Sequence, residues 1–169
     1  MPGPGPRIVG LLERTTEGIN RVFVVLACAL ALLIVVVILY DVTLRALATP
    51  PVWAHDVARY SLLYLFFLSL GPALASGHHV VVDMFDRIVP KHFRAYQAHM
   101  AALLALTFGA VFLWQLLRMT GQAFADDRLA PAVIPIALKW VYAIGPVGAV
   151  HFIMVALVQL CRAVWPRPA

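Results

Sequence analysis

The chain has 169 residues, of which 63% fall in the set Ala, Val, Ile, Leu, Met, Phe, Trp, Tyr and Cys and only 12% are charged, and its mean hydropathy is +0.89. That balance excludes a disordered chain and an ordinary soluble globular domain. Thirteen Lys and Arg against eight Asp and Glu give a formal charge of +5, but the bases are scattered among connecting segments and form no run of the kind that grips nucleic acid.

Four uncharged stretches dominate the chain: 19 residues between Arg21 and Asp41, 23 between Arg59 and Asp83, 23 between Arg94 and Arg118, and 22 between Lys139 and Arg162. Each can cross a hydrocarbon core, which needs about 20 helical residues. The expected fold is an all-α integral membrane protein with four transmembrane helices over residues 22–40, 60–77, 95–117 and 140–161. Residues 1–21 read as a cytoplasmic tail with an interfacial amphipathic helix, 22–165 as a single four-helix membrane domain, and 166–169 as a cytoplasmic C-tail. With these spans, one side of the membrane carries eight Lys and Arg and the other five. The positive-inside rule then places both termini in the cytoplasm.

In chain order, Pro2, Pro4 and Pro6 between glycines make residues 1–7 a loose tail. After it, Ile8, Leu11, Leu12 and Ile19 fall near one face while Arg7, Glu13, Arg14, Glu17 and Asn20 fill the remainder, so a short helix in the interface is expected before the first span turns inward. Ala46-Leu47-Ala48 looks like a signal-peptide cleavage site. The apolar run before it is too long for such a signal, and Asp41 and Arg45 intervene. Asp41 and Arg45 are spaced i,i+4 with the acid first, the favourable order, and Pro50-Pro51 stops the helix.

The second helix is expected to begin near Val52 or Trp53 and to end at Ala75 or Ser76, with Trp53 as an interfacial anchor. Ser69, Ala73 and Gly77 form a small-xxx-small series that lets another helix approach, Gly71 and Ala75 a second, and Pro72 should kink the segment. The loop from His78 to Arg94 should hold a short helix or extended piece on the cytoplasmic surface. The third span should end at Arg118, followed by an irregular connector from Thr120 to Pro135. In the fourth helix, Trp140 and Tyr142 make an outer belt and Gly145-Pro146 a kink.

Chemistry-bearing clusters are few. His79 and Asp83, spaced i,i+4, could offer two metal ligands, but a structural zinc takes four and no companion cluster is present, so no metal or other cofactor is expected. Cys28 and Cys161 read as packed thiols. His99 and His151 lie inside spans, which raises a haem-binding membrane anchor of a respiratory complex as an alternative. Their depths differ by about 9 Å at the rise of an α-helix, too much for two axial ligands of one haem without substantial tilt. No phosphate loop, serine nucleophile motif or HExxH pattern occurs. Nor does any span carry a charge at its centre, as a chain that moved a polar solute alone would need. These features describe a non-enzymatic scaffold whose faces are built for other helices.

Several segments resemble the small membrane subunit of tripartite ATP-independent periplasmic (TRAP) transporters. Arg45 closes the first helix as that family's arginine does, with Ala46 where an aromatic is usual. Trp53-Ala54-His55-Asp56-Val57-Ala58-Arg59-Tyr60 resembles its Trp-x-Glu-Glu-x-x-Arg-Tyr segment, with His55 and Asp56 in place of two glutamates. Gly77-His78-His79-Val80-Val81-Val82-Asp83 resembles its Gly-x-His-hydrophobic-x-Val-Asp loop, and Pro135, Trp140, Tyr142, Pro146 and Gly148 fit its fourth-helix pattern. The resemblance implies a subunit of the bacterial inner membrane that carries out no transport alone. It would form an obligate heterodimer with a large membrane subunit that binds solute and coupling cations, usually sodium, and moves them by an elevator motion. A periplasmic binding protein would deliver the solute, commonly an organic acid, and membrane lipids would surround the pair. The candidate interface or structural residues are then Arg45, Trp53, Asp56, Arg59, Tyr60, Ser69, Ala73, Gly77, His79, Asp83, Trp140, Tyr142, Gly145 and Pro146.

Overall fold

A computed structural model describes residues 5–49, 51–76, 91–126, 129–130 and 136–164. It has four helices: α1 (Gly5–Ala46), α2 (Ala54–Ala75), α3 (Lys91–Asp126) and α4 (Leu138–Val164). Each contains a stretch long and apolar enough to cross a membrane. Helix α1 is rich in β-branched Val and Ile, which on propensity alone favour strands. Water is absent from a hydrocarbon core, so an isolated segment there must satisfy its own amides and carbonyls, and a helix does this completely.

Helix α1 is continuous over 42 residues. The separate interfacial helix expected before the first span is therefore corrected: residues 10–21 are the early turns of α1 itself, and residues 5–7, expected in the loose tail, are already helical. No glycine or proline interrupts the register between Ile19 and Ala46, so nothing in the chain bends it there. At 1.5 Å per residue α1 is about 63 Å long, roughly twice the hydrocarbon thickness. Its first turns reach well past the apolar run.

The first helix ends at Ala46, before the proline pair. Thr49 donates its amide to the Leu44 carbonyl at 3.0 Å and Ala48 to the Arg45 carbonyl at 3.2 Å. This is a Schellman stop, with Ala48 at φ 58° in the left-handed position that glycine usually fills. The third helix corrects a second boundary. It runs past Arg118 to Asp126, because residues 119–126 hold good helix formers and Ala123 is buried. After it, Leu129 and Ala137 form an isolated antiparallel bridge, and the Ala130 amide donates to the Ile136 carbonyl at 2.8 Å.

The helices line up in the order α1, α2, α4, α3, with α1 touching α4 only along a short length. Leu74 on α2 and Val155 and Ala156 on α4 form the buried centre, against which Ala105, Leu106 and Phe152 pack. An aromatic series joins the other levels: Phe67 stacks on Phe112 at 6.2 Å, Phe112 on Phe108 at 5.4 Å, and Phe108 meets Phe152 edge-on at 6.0 Å.

Candidate functional site

The seam between α2 and α4 is built on close backbone approach. A Cβ on Gly148 would overlap the Phe67 carbonyl oxygen, and one on Gly71 would fall inside the His151 imidazole, 2.6 Å from Nε2. Gly145 sits under Leu116 and Phe67, where a Cβ would lie 3.0 Å and 3.5 Å from their side chains. Ala149 and Ala156 on α4 are fully buried. Lipid tails give two apolar helices no hydrophobic reason to associate, so dispersion at short range through small residues must hold them. Of the two small-residue series on α2, the described residues place Gly71 against α4 within the bundle. Ala73 is exposed, Ser69 is half-buried and donates its hydroxyl back to the Phe66 carbonyl at 2.9 Å, and Gly77 lies outside the described residues.

A carbonyl freed by proline and carbonyls near helix ends accept the polar contacts along α4. Pro146 has no amide for the Tyr142 carbonyl, and the Thr120 hydroxyl donates to that carbonyl at 3.3 Å. Gln159 donates to the Leu74 carbonyl at 2.7 Å, satisfying an acceptor in the last turn of α2. The Tyr64 hydroxyl donates to the Trp140 carbonyl at 2.8 Å. Trp140 itself is exposed, as a belt residue would be, and Tyr142 is half-buried.

At the end where α1 meets α2, both Asp41 carboxylate oxygens accept from Arg45 Nη2, at 3.1 Å and 2.9 Å, so the expected i,i+4 pair is formed. Tyr40 and Trp53 lie ring to ring at 5.8 Å. Asp56 is buried, the Tyr60 hydroxyl is buried without a hydrogen-bond partner among the described residues, and the Arg59 guanidinium lies 6.0 Å from the Tyr60 ring centroid. Asp41, His55 and Arg59 share a groove with Ile34, Val37, Ala58 and Leu62. Arg45, Trp53, Asp56, Arg59 and Tyr60, close together in the chain, thus lie at one end. Trp140, Tyr142, Gly145 and Pro146 belong to the α4 seam, and His79 and Asp83 lie outside the described residues.

At the opposite end, sequence reasoning missed a polar cluster. Arg162 Nε donates to Glu13 Oε1 at 2.9 Å, and its Nη2 lies 3.8 Å from Glu17 Oε1. Glu13 and Thr16 are buried. The only sequence signal was that Glu13 and Glu17 stand one turn apart on α1.

Among the described histidines, His151 has no room for an axial haem iron. The His151 ring is closed in by Gly71 and by Phe23, 4.7 Å between centroids, and its Nε2 lies 3.5 Å from Asn20 Oδ1. His99 lies on α3, partly exposed, and no group of three or more potential metal ligands occurs among the described residues. Cys161 is half-buried, but Cys28, expected to be packed, is exposed on α1.

No curated protein matches the chain. Residues 34–165, comprising the second part of α1 and nearly all that follows, match the family described as tripartite ATP-independent periplasmic transporters, DctQ component. With that match over most of its length and four helices able to span a membrane, the chain belongs to the DctQ family and is a non-catalytic, multi-pass permease component of a TRAP transporter.

Proposed function

We propose that the chain is the stationary small subunit of its transporter, in a bacterial inner membrane with both termini in the cytoplasm. Membership of the family implies a large membrane component and a periplasmic binding protein as partners in general. The observation that carries the scaffold role is the contrast in burial. In the most apolar window of α1 only 6% of residues are buried, and in that of α3 11%, against 44% in α4. Such faces require either lipid or a partner helix, and a subunit that must offer a fixed surface to a large neighbour has use for both. On this reading the large subunit binds solute and cation, the solute is an organic acid handed over by the binding protein, and the coupling ion is sodium.

Within the subunit, the Asp56, Arg59 and Tyr60 end of α2 is proposed to order the contact with the large subunit, where an unpaired desolvated charge would be costly. Co-reconstitution tests the whole reading. Proteoliposomes holding both membrane subunits and supplied with binding protein should take up an organic acid only under an inward sodium gradient, and omitting this chain should abolish uptake. Uptake by the large subunit alone would refute the scaffold role. Cysteine labelling at Pro4, Asp127 and Pro168 tests the topology: only position 127 should react from outside.

A further inference from the structure

A cavity of about 330 Å³ opens between the early turns of α1 and the ends of α2 and α4, lined among others by Glu17, Thr16, Asn20, Val24, Val155 and Arg162. That is room for on the order of ten waters. Its lining is graded. Along α1 the residues run from Glu13 and Glu17 through Asn20 to Val24, and along α4 from Arg162 through Gln159 to Val158 and Val155. Both helices therefore pass from charged to polar to apolar in the same direction, at the level where their uncharged stretches begin. This is the profile of the boundary between headgroups and hydrocarbon.

The charges indicate what fits. Arg162 is engaged by the buried Glu13 through Nε, while its side chain is 56% exposed and its Nη2 lies 3.8 Å from Glu17 Oε1. Two carboxylates beside one guanidinium leave the mouth net negative, which disfavours a purely anionic guest and favours an ammonium group beside a phosphate. The Thr16 hydroxyl is buried with no hydrogen-bond partner among the described residues, and Asn20 Oδ1 has only the long 3.5 Å approach of His151. Both oxygens can accept N–H donors, which a primary ammonium has and a quaternary one lacks. The apolar floor of Val24, Val155 and Val158 would remain wetted under a tailless guest and would be covered by the start of an acyl chain.

We propose that this cavity binds the phosphoethanolamine headgroup of a membrane phospholipid, with the ammonium on Glu17 and the Thr16 and Asn20 oxygens, the phosphate on Arg162, and the first methylenes against Val24 and Val155. The site lies inside this subunit, and its α1 side, from Glu13 to Val24, precedes the family-matched residues.

The test is lipid binding by the full-length chain, delipidated in mild detergent and titrated in native mass spectrometry. The probes are phosphatidylethanolamine, phosphatidylcholine and phosphatidylglycerol of identical acyl chains, and soluble phosphoethanolamine. Phosphatidylethanolamine should bind at least about tenfold more tightly than the other three, and Glu17→Gln, a change at an exposed side chain, should remove about tenfold of that affinity. Val24→Phe should weaken the lipid further by filling the floor, and Thr16→Val, close to isosteric, should do so by removing the acceptor. Circular dichroism of each variant should match the parent. Equal binding of ethanolamine and choline lipids, preference for phosphatidylglycerol, or indifference to both Glu17→Gln and Thr16→Val in folded protein would each overturn the proposal. So would soluble phosphoethanolamine binding as tightly as the lipid, which would make the site one for a free metabolite.

Discussion

Helix α1 is the most apolar of the four, with a mean hydropathy of 3.5 in its best window, yet it is the least buried; α4, at 2.1, is the most buried. In water that order would be inverted, because burial follows apolar area. Here burial follows the small residues. Helix α4 carries Gly145, Gly148, Ala149 and Ala156 and packs against both α2 and α3, whereas α1, dominated by branched side chains between Val22 and Tyr40, packs chiefly against α2 alone. Large apolar surface on α1, such as Leu32 at 68% and Val36 at 61% exposure, is left for lipid or for a second protein.

The sharpest way to break that contrast is to give the seam a side chain. Gly148→Leu would drive a branched group into the Phe67 backbone, which cannot move aside as a side chain can, and should cost about 3 kcal/mol or prevent folding. Gly145→Leu meets the flexible end of Leu116 and should cost less, about 1 to 2 kcal/mol. Leu32→Ala on the open face of α1 should leave the isolated subunit within about 0.5 kcal/mol of the parent. Denaturation in mixed micelles, followed by circular dichroism, measures all three. Equal losses at Gly148 and Leu32 would remove the distinction between seam and open face.

A second effect sharpens the comparison at the end of α1. Arg162→Gln removes one partner of the buried Glu13 carboxylate and should destabilise by about 1 to 2 kcal/mol, reduced from the fully buried case because the guanidinium is half exposed. If the early turns of α1 are held mainly by this pair, amide exchange there should rise in the variant while exchange in the α2–α4 seam stays slow. One expected effect is a gain. Ala48→Gly relieves a left-handed alanine at the helix stop and should stabilise by about 1 kcal/mol, visible as a higher midpoint in the same assay. No gain would mean that the turn adapts without strain.

How much of this was legible from residues alone differed by region. The four helices, the limits of α2 to within a residue or two, and the Asp41–Arg45 pair followed from patterns that are local in sequence. The face of α2 used inside the bundle was not legible, because Ser69/Ala73/Gly77 and Gly71/Ala75 satisfy the same four-residue spacing and only the partner helix chooses between them. Arg118 was read as the end of a span, but a long cationic side chain can reach the interface without ending its helix. The Glu13–Arg162 contact joins residues 149 apart, and no periodicity reports on such a pair. Nor could composition show that His151 would fill the space left by Gly71.

The most direct test of the scaffold reading is a photocrosslinking scan of the assembled transporter, with single reactive residues placed at Leu32, Val36 and Leu39 on α1, at Leu104 and Val111 on α3, and at Ala149 and Val155 in the seam. The expected result is crosslinks to the large subunit from at least one of the open faces and none from the seam. Crosslinks from Ala149 or Val155, or none from any position on α1 or α3 in an intact complex, would contradict it.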